Sequence, residues 1–217
     1  TLQALQSQIN PQFRYNTLEC IRGQALMDGK TSGAYMREGL GNFFRYSISR
    51  RENVVTLADE INNIRSYMLI QNYRFLNRYR FELEYLEDEE SLLGCYVPKL
   101  TLQPIVENAL IHGFQNQKSG CVTLTVDASD SMLMLTVSDD GEGMDAAVLE
   151  ELNRKIQSRQ TLLRKPASHG NGIALQNVNR RIMMLYGRSY GLHVYSTPGR
   201  GTDVEIILPR ITKAEVM

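Results

Sequence analysis

The chain has 217 residues, which is enough for one large domain or two small ones, and we predict two. Its 24 basic and 24 acidic side chains cancel, so no basic face is expected for nucleic acid. Three widely separated cysteines exclude a disulfide framework and a CxxC metal site, and no apolar run reaches the roughly 18 residues of a membrane span.

The chain opens on a helical pattern. Apolar residues recur at helical spacing in the first 13 residues, at Leu2, Leu5, Ile9 and Phe13. Pro11 lies inside this run, so we expect a kink near Gln8. A second amphipathic stretch, over 40–48, follows a Gly-containing connection. The two predict a helical hairpin that pairs with a second copy in a four-helix bundle. Because the pattern is under way at Thr1, we expect the chain to be a piece of something longer.

A third helix is predicted to begin at Thr56, where Asp59 completes a capping-box pattern, and to continue to about Asn77. From Tyr79 the apolar period changes from 3.6 to two, which indicates a half-buried strand. We therefore expect a helical hairpin at 1–55, a connecting helix at 56–78 and a second domain at 79–217.

The second half mixes helices and strands. We predict helices over 98–112 and 172–185, a hairpin of 122–126 with 133–137, and a final hairpin around TPGRGT. A polar stretch, 145–169, contains one amphipathic segment. This order predicts an α+β protein whose second domain is an α/β sandwich, with helices on one face of a mixed sheet.

Three clusters carry candidate chemistry. The first is QPIVENALIHG, in which the amide oxygen of Asn108 suits Mg²⁺ and His112, one helical turn further, could reach a phosphate. Glu107 beside Asn108 is a candidate base. The alternative is that Asn108 only caps or bridges helices.

The second cluster is VSDDGEGM, at the end of a predicted strand. The carboxylate of Asp139 can accept a hydrogen bond from an exocyclic amine, and Gly141 and Gly143 let the backbone approach a flat ring. The alternative is a simple turn.

The third cluster is HGNGIALQNVNRRI, where Gly170 and Gly172 precede a helix. Such a loop offers N–H groups to phosphate, but a glycine-rich helix start without a ligand would look the same.

The order of these boxes, closed by the GxGT of the last hairpin, resembles the ATP-binding domain shared by histidine kinases, gyrase B, Hsp90 and MutL. The resemblance covers roughly 100–209. It implies that Asn108 holds Mg²⁺, Asp139 reads the adenine amine, Gly141 and Gly143 shape the adenine pocket, Gly170 and Gly172 contact phosphates, and Thr202 of the GxGT box belongs to the ATP site.

The same resemblance makes 145–169 a mobile lid, from which a basic residue would reach the triphosphate; the candidates are Lys155, Arg159, Arg164 and Lys165. One departure concerns hydrolysis. Gyrase and Hsp90 carry a water-activating glutamate four residues before the asparagine, where this sequence has Pro104. ATP hydrolysis as the main reaction is therefore disfavoured.

The opening stretch, LQSQINPQFRYNTLE, resembles the LQxQINPHFxxN signature of the LytS/YesM group of bacterial sensor histidine kinases, and FFRYSIS and LQPIVENA extend the resemblance. In that group the histidine accepts the phosphoryl group; here the position is Gln12, and Arg14 stands where an apolar residue is usual. An amide nitrogen has its lone pair delocalised into the carbonyl and is a poor nucleophile, and no histidine precedes His112.

We therefore expect a histidine protein kinase region that binds ATP and Mg²⁺ but is not phosphorylated at Gln12. A natural degenerate kinase, a deliberate change and a subunit that phosphorylates another chain all fit this substitution. The alternative is a non-catalytic or trans-acting dimerisation partner of another histidine kinase, and a serine kinase like the anti-sigma factors ranks last. The resemblance further implies a homodimer, a response-regulator partner, and a cytoplasmic position below a membrane segment upstream.

Overall fold

The computed structural model describes residues 53–158 and 172–212, together with four helical residues before them, Gly41, Phe43, Arg45 and Tyr46. The predicted kink, Gln12, Gly170 and most of the predicted hairpin lie outside the described residues. No helix in the described ranges is long and apolar enough to cross a bilayer.

A five-stranded mixed sheet forms the centre of the fold, in the order β2-β4-β5-β7-β6. Its strands are β2 (Tyr79–Tyr85), β4 (Gly120–Ala128), β5 (Met132–Asp139), β6 (Gly191–Thr197) and β7 (Gly201–Pro209). β2 runs parallel to β4, and the other neighbours are antiparallel. β1 (Val54–Thr56) and β3 (Tyr96–Pro98) make a separate two-stranded ribbon. The predicted strand at 79–85 and both predicted hairpins are confirmed.

Within 53–158 and 172–212, five helices accompany the sheet. They are α1 (Leu57–Arg74), α2 (Glu89–Leu93), α3 (Gln103–Asn108), α4 (Ala146–Gln157) and α5 (Ile173–Tyr186). α3 continues into one π-helical turn, Ala109–Gly113. The predicted capping box is present, since the Thr56 side chain accepts from the Asp59 N–H and the Asp59 carboxylate accepts from the Thr56 N–H.

Burial alternates along the strands and gives the sheet one buried face. On β5, Leu133, Leu135 and Val137 are at most 2% exposed, whereas Met134 and Thr136 between them point to the other, partly exposed face. The buried face shares one apolar core with Ile156 of α4 and with residues of α1, α3 and α5. Helices therefore cover one face of the mixed sheet, as predicted.

Two predicted helix limits were wrong for identifiable reasons. The helix expected over 98–112 starts only at Gln103, because 96–98 pairs with β1 and Leu100 takes a left-handed conformation, φ +59°. α1 ends at Arg74, since Leu76 and Asn77 are also left-handed.

The stretch 145–169, which the resemblance made a mobile lid, begins with the packed helix α4, at the predicted amphipathic segment. Its amides are anchored to the sheet: Asn153 donates to the carbonyl of Val194 at 3.0 Å, and Gln157 donates to the carbonyl of Leu192 at 3.3 Å. Residues 159–171 lie outside the described ranges.

Candidate functional site

A cavity opens between the buried face of the sheet and the helices α3, α4 and α5. Its wall is mainly apolar, with Ile105, Ala109, Val137, Met144, Leu152, Leu175, Val194 and Val204. Polar groups enter this wall from four side chains, Asn108, His112, Asp139 and Thr202, and glycine backbone enters at 113, 143 and 172. An apolar slot with a few convergent polar groups is typical of a small-molecule site.

Asp139 is the acidic group of the cavity. It is the last residue of β5, and its Oδ1 accepts the N–H of Gly141 at 3.0 Å. Burial raises the pKa of Asp139 to about 6, although the hydrogen bonds from the backbone of Gly141 and Thr202 act in the opposite direction. A half-buried carboxylate with spare acceptor capacity can bind an N–H donor on a ligand.

Glycines bring the backbone close to this carboxylate. A Cβ on Gly141 would lie 2.4 Å from the carbonyl oxygen of Gly113 and 2.6 Å from Oδ1 of Asp139. The loop after β5 is held at Glu142, whose N–H donates to the carbonyl of Gly113 at 2.9 Å and whose carbonyl accepts the Gly199 N–H at 2.7 Å. A side chain at Gly141 would therefore clash with Gly113 and Asp139, both of which line the cavity.

Thr202 lies beside Asp139 because the two residues are register partners on β7 and β5. Its Oγ1 is 2.9 Å from Oγ of Ser196, which also accepts the Met144 N–H at 2.9 Å. Ser196 thus connects the Thr202 hydroxyl to the loop that carries Gly143.

Asn108 and His112 approach from the helical side. Asn108 is the last residue of α3, and the π-helical turn that follows places His112 near the same wall of the cavity. Such turns are often found at functional sites, because the inserted residue redirects the side chains that follow. His112 is exposed at the rim, and partial desolvation lowers its pKa.

Glu107 does not line the cavity. Its Oε1 accepts a hydrogen bond from the amide of Gln103 at 2.8 Å, and Oε1 of Gln103 in turn accepts from Asn63 on α1 at 3.0 Å. Burial raises the pKa of Glu107. The carboxylate therefore belongs to a buried chain of polar groups between α1 and α3, and this position gives no support to a role as base.

The described phosphate-loop residue is Gly172, at the start of α5. It is left-handed, φ +99°, and a Cβ there would lie 2.7 Å from Leu152. Gly170, Arg159, Arg164 and Lys165 lie outside the described ranges. Lys155, the remaining basic candidate, is on α4 and pairs with Glu151 at 3.4 Å on the exposed surface.

Six predicted site residues therefore meet at one cavity: Asn108, His112, Asp139, Gly143, Gly172 and Thr202. Gly141 lies directly against its acidic group. Sequence reasoning missed the apolar wall, including Met144, Leu175 and Val194. Leu152 had a usable signal, since it belongs to the apolar stripe of α4.

Two family models match the chain. The histidine kinase model matches residues 1–79, and the model described as histidine kinase-, DNA gyrase B-, and HSP90-like ATPase matches residues 98–212. The second match covers more than half of the chain and contains every described residue of the cavity.

Curated relatives match along nearly the whole chain. Sensor histidine kinase YesM of Bacillus subtilis is 36% identical over 209 residues, which are 96% of this chain and 33% of that protein. Sensor protein LytS of Bacillus anthracis is 31% identical over 211 residues, 96% of this chain and 34% of that protein. The chain thus spans about a third of the length of these relatives.

A solved structure supports the fold alone. The catalytic domain of histidine kinase ThkA has a TM-score of 0.52 at 13% identity, over 72% of this chain and 95% of that one. Together with the ATPase family model, this confirms the predicted sandwich. The resemblance to the LytS/YesM group is confirmed by the family models and the curated relatives. The chain belongs to the histidine kinase-, DNA gyrase B- and HSP90-like ATPase family, and its curated relatives YesM and LytS are named as sensor proteins.

Proposed function

We propose that the chain is the ATP-binding catalytic region of a sensor histidine kinase, that it binds ATP with Mg²⁺ in the described cavity, and that its own position 12 does not accept phosphate. The observation that carries the proposal is the half-buried Asp139 carboxylate between Gly141 and Thr202, in an apolar wall, with Asn108 across the cavity.

The apolar wall suits a flat aromatic base, because it removes the base from water on both faces. Ionised Asp139 has only acceptor oxygens, so it favours a base that presents an amine, as adenine does, over one that presents a carbonyl oxygen there. Thr202 offers a hydroxyl next to the carboxylate for a second hydrogen bond. These contacts orient the base, and the triphosphate then extends toward α3 and α5.

The residues present fit a magnesium ion that is held mainly by phosphate. No group of three or more His, Cys, Asp or Glu side chains gathers for a metal in the described ranges, so an all-protein cage is not built there. Mg²⁺ commonly takes one or two protein oxygens, with phosphates and waters for the rest. Asn108 would supply one such oxygen, and the ion would neutralise charge on the phosphates.

Phosphate would be bound by Gly172, by the first N–H groups of α5 and by His112. α5 has 14 residues, so its N-terminal end carries a useful positive dipole. Gly170 is proposed for the same role. With Pro104 in place of a water-activating glutamate, this arrangement favours transfer of the phosphoryl group to a side chain over hydrolysis.

Calorimetric titration with ATP tests the nucleotide site. We expect saturable binding that Mg²⁺ strengthens, and a loss of affinity of about tenfold or more for Asp139→Asn, because an amide would present a donor to the amine. Asp140→Asn is the matched control: the same change one residue away, where Oδ1 accepts the Cys121 N–H at 2.7 Å and the side chain is outside the cavity. Undetectable binding by the parent at millimolar ATP would remove this proposal.

Gln12 favours a second candidate, in which the chain acts in trans on another histidine kinase. The test mixes this chain with a histidine-bearing relative whose own nucleotide site is disabled, in the presence of labelled ATP. Label on the relative means that this chain donates phosphate to another subunit. Absence of label, with mixed dimers present, supports a non-catalytic regulatory partner.

The remaining parts of the proposal concern assembly. We propose the division into a hairpin at 1–55, a connecting helix at 56–78 and a catalytic domain at 79–217, with a homodimer formed through the hairpin. A response regulator would receive the phosphoryl group. An upstream membrane segment would place this region on the cytoplasmic side of a bacterial cell membrane.

A further inference from the structure

We propose that Tyr46, Glu60 and Arg181 form a positioning cluster that couples the N-terminal histidine kinase segment to the nucleotide site, by fixing the turn from which the Asn108 helix starts. None of the three lines the cavity. The inference rests on the proposed function, because its main readout is nucleotide affinity.

The turn before α3 needs an external cap. Leu100 is left-handed at φ +59°, a conformation that costs a residue with a side chain about 1 kcal/mol or more. The first residues of α3 have no side-chain cap of their own. The N–H groups of Thr101 and Leu102, just before the helix, would be buried without an acceptor unless another element supplied one.

Glu60 on α1 supplies that acceptor. Its carboxylate, which is 0% exposed, accepts the N–H of Leu100 at 2.5 Å, of Thr101 at 2.9 Å and of Leu102 at 3.0 Å. Three charged hydrogen bonds from consecutive N–H groups hold the turn in one conformation. Asn108 lies six residues beyond Leu102, on the helix that this turn starts.

Arg181 holds the same turn from the other side. Its Nη2 donates to the carbonyl of Leu100 at 3.0 Å and to Oγ1 of Thr101 at 3.1 Å. Burial lowers the pKa of Arg181, and the charge of Glu60 acts against that shift. Arg181 belongs to α5, the helix that begins after Gly172. The turn therefore fixes the Asn108 helix and the phosphate-loop helix relative to each other.

Tyr46 connects this arrangement to the N-terminal segment. Its hydroxyl donates to Oε1 of Glu60, the oxygen that also accepts from Leu100. The ammonium of Lys99, in the same turn, lies 4.7 Å from the centre of the Tyr46 ring. Tyr46 falls within the range matched by the histidine kinase model. A movement of this segment that withdraws Tyr46 would leave Glu60 one hydrogen bond short and loosen the turn.

The experiment compares ATP affinity with Mg²⁺ in the parent and in Glu60→Gln, Tyr46→Phe and Leu208→Ala. Glu60→Gln places an amide donor against the N–H groups of the turn, whereas Tyr46→Phe removes only the hydroxyl. Leu208→Ala destabilises the core at the far end of β7, six residues from Thr202, and serves as the control for lost stability. Hydrogen exchange at the amides of 100–102 reports the turn itself.

We expect affinity to fall about tenfold or more for Glu60→Gln and about threefold for Tyr46→Phe, with faster exchange at 100–102 in both, while Leu208→Ala binds like the parent. Equal affinity of parent and Glu60→Gln overturns the inference and leaves the nucleotide site standing. If Glu60→Gln does not fold, Tyr46→Phe decides, and parental affinity and exchange in that variant overturn the inference. A parent that does not bind ATP removes the proposed function and this inference with it.

Discussion

Asp139 and Thr202 are register partners at the end of β5 and on β7, so a carboxylate and a hydroxyl stand side by side at one edge of the sheet. Gly201 makes this approach feasible, because a Cβ there would lie 1.7 Å from the carbonyl oxygen of Asp139. Strand register therefore brings Asp139 and Thr202 together, and the absence of a side chain at Gly201 lets the two strands approach at this point.

The burial of Asp139 predicts a pH-dependent cost in stability. Its pKa is raised from 3.8 to about 6, so the folded state binds this proton more tightly than the unfolded chain. The protonation of Asp139 therefore contributes stability to the folded state below about pH 4, and this contribution is lost as the pH rises through about 6. We expect Asp139→Asn to raise the free energy of unfolding by about 2 kcal/mol at pH 7 and to change it little at pH 4.

Urea denaturation at the two pH values checks this expectation, with Asp140→Asn as the control for removal of a neighbouring charge. If Asp139→Asn raised the free energy of unfolding by the same amount at pH 4 and pH 7, ionisation of Asp139 would not be the cause. Loss of nucleotide affinity together with a gain in stability would mark Asp139 as a binding group that the fold itself does not need.

Gly143 and Gly199 give a matched pair for backbone geometry. Both are left-handed, φ +67° and φ +72°, but a Cβ on Gly143 would lie 2.1 Å from the carbonyl oxygen of Thr197, whereas nothing lies within 4 Å at Gly199. We expect Gly199→Ala to lower the free energy of unfolding by about 1 kcal/mol and Gly143→Ala by about 3 kcal/mol, because only the second substitution adds a clash. Chemical denaturation followed by circular dichroism measures both, and equal losses would contradict the steric argument.

The sequence was sufficient to predict the sheet hairpins and most of the polar and glycine residues that line the cavity. Apolar residues at a period of two identify β2, β4 and β5, and the turn residues locate the hairpins. The site residues follow from strand ends and helix starts, where Asp139, Gly143 and Gly172 stand.

What the sequence did not predict depends on long-range contacts. The start of α3 is set by Glu60, about 40 residues earlier, and no local pattern shows that a glutamate on one helix caps another. Likewise the amphipathic segment within 145–169 was predicted, but its packing on the sheet depends on Asn153 and Gln157 reaching carbonyls of β6. The side chains of Glu107 and Asn108 point to different sides of α3, and only Asn108 lines the cavity. The helical periodicity of the sequence did not separate these two orientations.

Removal of the Asn108 amide should separate magnesium-dependent from magnesium-independent binding. We expect Asn108→Ala to weaken ATP on the order of tenfold in Mg²⁺ and to leave binding in EDTA near the parental value, because the amide would contact the ion and not the base. Asn62→Ala, an exposed position on α1, is the matched control. Equal losses with and without Mg²⁺ would indicate that Asn108 only shapes the cavity.

The substitution at position 12 predicts restored chemistry in a single variant. An imidazole there would offer a lone pair for attack on the γ-phosphorus, which the delocalised amide of Gln12 does not. After incubation with γ-labelled ATP and Mg²⁺, the parent is expected to remain unlabelled and Gln12→His to acquire an acid-labile label. Gln12→His combined with Asp139→Asn should stay unlabelled, because the label must pass through the nucleotide site.

Label on the parent at the level of Gln12→His would contradict this prediction, since another side chain would then be the acceptor. An unlabelled Gln12→His that still binds ATP would mean that a change of acceptor alone is not enough, and Arg14 would be the next position to revert.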